Sequence, residues 1–169
     1  VLPDSDPAAI RNEDLPKVFE EYDRLARIVY ERRKEGRWFN FFHFMVDLEN
    51  GPCLAKRMTG CGAGSEYVAV TPQGDIYPCH QFVGNLPYRM GNVLTGDFDA
   101  SIQKKFSDNT IAKKPDCRNC WAKYFCCGGC AANAQNFSGD IAKPYAIACA
   151  MQKKRLECAI GLYIKERYA

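Results

Sequence analysis

The chain has 169 residues, of which 47% are hydrophobic, 12% aromatic and 25% charged, with a formal net charge of +3. That is about one domain's worth of polypeptide with enough apolar material to bury a core, and neither its polarity nor its charge is that of a disordered segment. So small a positive charge gives no argument for nucleic acid or an anionic membrane, and no apolar run approaches the roughly 18 residues of a membrane span. The basic run Lys153-Lys154-Arg155 reads as a solvated helix face.

The opening residues, Val1-Leu2-Pro3-Asp4, carry no secretion signal and no initiator Met, so the expectation is a cytoplasmic piece of a longer protein. Residues 1–13 are polar, contain Pro3 and Pro7, and suit a linker or loop. Pro16 then follows Asn12, Glu13 and Asp14, where a first helical turn tolerates proline. Val18, Phe19, Tyr22, Leu25, Ala26, Val29 and Tyr30 recur at i, i+3, i+4 spacing, which predicts a helix running to about Lys34 and stopped by Gly36. From Trp38 to Leu48 the aromatic run Phe39, Phe41, Phe42 and Phe44, with Met45 and Val46, predicts a buried strand, although periodicity alone does not separate it from a helix. His43 sits inside this run and reads as a core residue. A helix, a glycine and a dense strand suit the last repeat of an α/β barrel, and one such unit cannot bury both of its faces alone.

The texture changes at Cys61. Tyr67–Thr71 and Asp75–Tyr77 flank Pro72-Gln73-Gly74, a β-hairpin with a Pro/Gly turn. Residues 97–106 predict a short helix. Residues 117–130 are too rich in Cys and Gly for regular structure without an organising ligand. Residues 149–167 contain no Pro and carry Met151, Leu156, Ile160 and Ile164 at helical spacing. The whole reads as α+β, with residues 1–50 and 51–169 as separate parts.

Ten cysteines dominate the chemistry. Secreted disulfide scaffolds are usually short, loop-rich and preceded by a secretion signal; clustered thiols in a chain with a full core composition point instead to metal. The order is Cys61-x12-Gly74-x4-Cys79, a gap, Cys117-x2-Cys120-x5-Cys126-x3-Cys130, a second gap, then Cys149. Thiolate is a soft ligand that selects zinc or iron–sulfur clusters. The last Cys of a tight ferredoxin-type run commonly serves a neighbouring cluster. The spacing here allows that crossed wiring: Cys117, Cys120, Cys126 and Cys149 at one cluster, and Cys130 with Cys61 and Cys79 at another. Two structural zinc sites, holding a peptide-binding surface with no redox role, remain the alternative.

Three cysteines fall outside this order. Cys127 adjoins Cys126 and reads as a buried or supporting thiol. Cys158, nine residues after Cys149 and so on the opposite helix face, reads as core. Cys53 follows the Gly51-Pro52 turn, and is either a fourth ligand beside Cys61 or a bystander that leaves one iron open. Gly60, Gly62 and Gly64 give backbone room beside a cluster rather than a phosphate loop, because no Lys or helix follows them in the required register. Tyr77, Phe82, Trp121, Tyr124 and Phe125 read as cluster packing.

Seven cysteines and one glycine in this order resemble the SPASM motif, the C-terminal auxiliary-cluster domain of radical S-adenosylmethionine enzymes that modify peptides and proteins. The stretch Thr71-Pro72-Gln73-Gly74-Asp75-Ile76-Tyr77-Pro78-Cys79-His80-Gln81-Phe82-Val83-Gly84 is similar to one branch, the maturases that install thioether cross-links in the short Cys-rich SCIFF peptides. Cys126-Cys127-Gly128-Gly129-Cys130-Ala131-Ala132-Asn133 and Met151-Gln152-Lys153-Lys154-Arg155 resemble that branch too.

The resemblance implies two [4Fe–4S] clusters. Cluster I takes Cys61, Cys79 and Cys130, with Cys53 as the possible fourth ligand; cluster II takes Cys117, Cys120, Cys126 and Cys149. It implies residues 1–50 as the end of the radical barrel and 51–169 as the cluster domain. The partners implied are a Cys-rich precursor peptide, the remainder of the barrel and an external electron donor or acceptor. In related sulfatase-maturing enzymes an Asp follows the cysteine matching Cys79 and takes a proton; here His80 stands there. The Cys-x3-Cys-x2-Cys motif that binds S-adenosylmethionine and a third [4Fe–4S] cluster does not occur, so this chain is not expected to generate a radical alone.

Overall fold

In chain order the structure, a computed structural model, runs α1 (Leu15–Lys34), α2 (Leu54–Arg57), β1 (Ala69–Val70), β2 (Asp75–Tyr77), β3 (Gly91–Asn92), β4 (Asp97–Phe98), α3 (Ala100–Ser107), α4 (Pro115–Arg118), α5 (Lys123–Cys126), α6 (Ala131–Ser138) and α7 (Ala146–Tyr168), with short 3-10 turns between. It describes residue 2 and residues 5–51 and 53–168. Pro3 of the expected N-terminal linker and Pro52 of the Gly51-Pro52 turn lie outside the described residues. Mixed helix and a small antiparallel sheet make the fold α+β. The chain divides into two units, Val1–Pro52 together with Tyr145–Ala169, and Cys53–Pro144.

The first unit is built on α1 and α7. Pro16 opens α1, where its missing N–H would have no helical partner anyway, and Arg32, Arg33 and Lys34 in the last turn oppose the negative end of the helix dipole. Gly36, at φ +70, lets the chain leave the helix through the left-handed region. The stripe predicted for α1 is the buried one: Val29 packs with Phe44, Cys158 and Leu162, and Tyr22, Leu25, Ala26, Tyr30, Phe39 and Phe41 close round them. Cys158 is thus a core residue, as its spacing predicts. Lys154 lies 2.7 Å from the Asp23 carboxylate and Arg33 2.6 Å from Glu166, so ion pairs flank the apolar seam.

The strand expected over 38–48 does not form. The segment holds a 3-10 turn at Phe42–Phe44 instead. Among the described residues the one sheet is β1 to β4, so no strand lies alongside this segment to take its backbone hydrogen bonds. They are made locally: Phe44 N–H donates to Phe41, Met45 to Phe42 and Val46 to Phe44. The turn sends Phe44 into the core and leaves Phe42, Trp38 and Met45 at 82%, 61% and 55% exposure. His43 is half-buried rather than core, edge-on to Phe41 and Phe42, and burial lowers its pKa.

The second unit is a four-stranded antiparallel meander in the order β1-β2-β3-β4, followed by α3 to α6. The hairpin read from the sequence is present, with Ala69 opposite Tyr77 and Val70 opposite Ile76. Its turn is closed by the Gly74 N–H donating to the Thr71 carbonyl at 2.9 Å and the Asp75 N–H to the Thr71 hydroxyl at 3.1 Å. Gly74 sits at φ +87, where a side chain would run into Asn92. The core joins Tyr77, Phe82, Tyr88, Phe106, Ala132 and Ile141, with Phe82 and Phe106 edge to face at 5.3 Å. The helix expected over 97–106 begins only at Ala100, because Asp97 and Phe98 pair with β3, and Asp99 caps it by accepting from the Ser101 N–H at 2.8 Å. Residues 117–130 are less irregular than expected: α4 and α5 supply single helical turns there, α4 opening on Pro115.

Candidate metal centre

The glycines around Cys61 determine where its thiol stands. Gly60, Gly62 and Gly64 all adopt φ +74. A side chain on Gly62 would run into Glu66, and one on Gly64 into Phe106 and Pro78. The Gly64 N–H lies 2.9 Å from both the Tyr67 and the Pro78 carbonyls, which ties this loop to the end of the hairpin. The hairpin thereby returns Cys79 towards Cys61.

Between these elements lies a cavity of about 600 Å³. Cys61, Cys79, Cys126, Cys127 and Cys130 all line it, together with Arg57, Tyr67, His80, Gln81, Phe82 and Phe125. It is far larger than one bound water or ion needs. Among the described residues, no three His, Cys, Asp or Glu side chains close round a single ion; the thiols stand around the cavity instead.

Electrostatics groups the thiols in two sets. Burial pushes the Cys79 thiol up, the N–H groups of Gln81 and Phe82 oppose this, and Cys130 and Cys61 push it further. Tyr67 donates to the Cys61 sulfur at 3.8 Å, and burial, followed by Cys61, raises the phenol to about 12. Gln81 Nε2 donates to the Cys130 sulfur at 3.8 Å. In the second set burial pushes Cys117 and Cys126 up; Lys114 opposes it at Cys117 and the N–H groups of Gly128 and Gly129 at Cys126, while Cys127 pushes Cys126 further and Cys120 adds to both. Lys114 is only 3% exposed, and its Nζ donates to the Gly128 carbonyl at 3.0 Å. A buried cation here offsets the charge of neighbouring thiolates, which is what metal binding requires of them.

The structure therefore brings Cys61, Cys79 and Cys130 together on a cavity that Cys126 and Cys127 also line, and sets Cys117 and Cys120 near Cys126. Cys149 belongs to the other unit, on the first turn of α7. Cys53 is exposed at the start of α2 and does not line the cavity. His80 is exposed, one residue from buried Cys79, and does line it. Of the aromatics, Phe82 and Phe125 form its wall, Tyr77 belongs to the core, and Trp121 stays 54% exposed and away from it. The sequence reading missed Arg57, Tyr67, Gln81 and Lys114, the cationic and polar groups at the sulfurs. Isolated polar residues carry no spacing signal; the place of Gln81 two residues after Cys79 was the one cue available.

Soft thiols, backbone N–H groups aimed at sulfur, aromatic walls and a multi-atom cavity together fit an iron–sulfur cluster. The comparisons agree in kind. Residues 61–121 match the profile of the SPASM family, described as an iron-sulfur cluster-binding domain, which supports a domain of the type associated with radical S-adenosylmethionine enzymes. A protein of Archaeoglobus fulgidus, described as uncharacterized, is 29% identical over 150 residues, covering 82% of this chain and 35% of the relative. The chain thus spans about a third of that relative's length. No helix among the described residues is long and apolar enough to cross a membrane.

Proposed function

We propose that this chain is the auxiliary-cluster part of a radical S-adenosylmethionine enzyme that forms thioether cross-links in a ribosomally made, Cys-rich peptide. The observation that carries the reading is the convergence of Cys61, Cys79 and Cys130, from three separate segments, on one cavity, Cys61 and Cys79 lying within the stretch matched to an iron–sulfur domain. Cys61, Cys79 and Cys130 would hold cluster I. Cys117, Cys120 and Cys126 would hold cluster II, and the resemblance adds Cys149 to them.

When bound, the two [4Fe–4S] clusters would supply one-electron acceptance and relay for a peptide radical formed elsewhere in the parent enzyme, where S-adenosylmethionine and a third cluster belong. The residues of this chain position and insulate. Phe82 and Phe125 keep water from the cavity wall, and the donors at Cys61, Cys79 and Cys130 draw charge from sulfur, two of the levers that set a cluster's potential. His80, exposed beside Cys79, would take the proton released from the peptide. Residues 1–50 would be the end of the radical barrel, and a precursor peptide and an external electron carrier the partners, in the cytoplasm.

The test is anaerobic reconstitution of the chain with iron and sulfide. A brown protein holding both in equal amounts, and losing colour when Cys61, Cys79 or Cys120 becomes Ala, is expected. A colourless protein that retains zinc and no acid-labile sulfide would overturn the reading. Mass spectrometry of a Cys-rich precursor incubated with the parent enzyme decides the thioether step.

A further inference from the structure

We infer that the free edge of β1, through the backbone groups of Val68 and Val70, takes up the precursor peptide as an added strand and leads it to the thiol-lined cavity. The inference deepens the reading above and rests on it for the identity of the peptide.

The first observation is the direction of the backbone. β1 stands at one end of the sheet, with β2 on one side of it. Gly74 and Ile76 face β3, since their carbonyls accept from the Val93 N–H at 2.9 Å and the Met90 N–H at 2.7 Å. Asp75 and Tyr77, alternating with them, face β1. There the Thr71 N–H donates to the Asp75 carbonyl at 2.9 Å, and Ala69 stands opposite Tyr77. Thr71 and Ala69 therefore point inwards, and by the same alternation Val68 and Val70 turn their N–H and C=O groups away from β2. Among the described residues no further strand lies on that side. Val68 and Val70 are 42% and 51% exposed. Two donors and two acceptors thus stand open in one row, which is a template for main-chain pairing. Neither position carries the Lys or Pro that commonly blunts an edge, and Pro72 ends the row.

The second observation is where the row leads. Tyr67, the residue before Val68, lines the cavity with Cys61, Cys79 and His80, and its hydroxyl lies 3.8 Å from the Cys61 sulfur. The Tyr67 carbonyl is already taken by the Gly64 N–H, so the open row begins at Val68. At about 3.3 Å per residue, a strand paired with Val68 and Val70 comes level with Tyr67 within one or two residues. Its next side chains are then delivered to the cavity.

The size of the edge selects the occupant. Two residues bury far less than the roughly 1,200 Å² of a stable interface between folded proteins, so a second copy of this chain gains too little there. A peptide needs less, because a side chain held in the cavity raises the effective concentration of its backbone at the edge. Main-chain pairing also reads no particular side chain, which suits a peptide that presents several cysteines in turn.

The test uses the full chain, reconstituted anaerobically, with a synthetic peptide alternating Cys and Thr and the same peptide N-methylated at every amide. Wild type is expected to bind the first, with slower amide exchange at Val68 and Val70, and to bind the second at least tenfold more weakly. Val70→Pro removes one outward donor and spares the pairing with β2, the place on an edge strand where proline is tolerated. Val70→Thr changes the side chain alone. The proline variant is expected to melt with wild type, keep its iron and bind the peptide at least tenfold more weakly, and the threonine variant to bind as wild type does. Equal affinity of wild type for the two peptides would overturn the inference whether or not any variant folds. Wild-type affinity in a folded Val70→Pro would do so too, as would a wild-type dimer that Val70→Pro converts to monomer. Peptide binding as expected by a chain without acid-labile sulfide would uphold the edge and overturn the iron–sulfur reading instead.

Discussion

Lys114 reaches from the residue before α4 to the carbonyl of Gly128, 3.0 Å away, and so clamps the chain ahead of Cys117 to the chain after Cys126. The ammonium is buried, and a methylene stem long enough to span the gap makes the link possible. Lys114→Met keeps the stem and removes the donor. Leaving a buried carbonyl short of this partner costs roughly 1–3 kcal/mol. Urea unfolding should register that loss, and hydrogen exchange should show faster exchange confined to residues 126–130.

Asp23 of α1 and Lys154 of α7 are a second such pair. The hydrogen bond from Lys154 holds the Asp23 carboxyl below its ordinary 3.8. Its contribution is therefore complete above the unfolded value and is lost as pH falls through the lower folded one. Asp23→Asn should cost about 1 kcal/mol at pH 7, because the carboxylate is half-exposed, and less at pH 2. Denaturant midpoints for both proteins at the two pH values check this.

Cys158 behaves in the opposite sense. Burial, then the charge of Asp23, pushes its thiol from 9.0 to about 11. The unfolded chain releases this proton first, so the stability it confers is complete below pH 9 and drains away as pH rises towards 11. Cys158→Ala should show a shallower decline than wild type across that window. Equal slopes for the two proteins would contradict it.

Tyr67 is a donor to Cys61 that can be removed without changing shape. Hydrogen bonds to ligand sulfur favour the reduced cluster, so Tyr67→Phe should move the midpoint potential of the cluster that the proposed function places at Cys61 to more negative values. A redox titration followed by electron paramagnetic resonance measures the shift.

The hairpin was legible because its determinants are local: Thr71, Gly74 and the alternating residues beside them decide the turn without outside help. The same holds for α1, whose stripe and end signals lie within its own residues. The run 38–48 was misread because its aromatics answer to partners distant in sequence. Phe44 packs on Cys158 and Leu162, and density of apolar residues cannot distinguish that arrangement from a strand. At the site, spacing revealed which thiols would gather. It could not reveal a left-handed Cys127 or a buried Lys114, since both follow from tertiary geometry with no repeat behind it.

Asp23 and Lys154 stand 131 positions apart, and the whole of Cys53–Pro144 is translated between them. The inserted segment is continuous and can collapse as soon as it leaves the ribosome, whereas α1 waits for α7 before its apolar stripe is covered. Loading of iron into the nascent inserted unit would thus be able to precede closure of the helical pair.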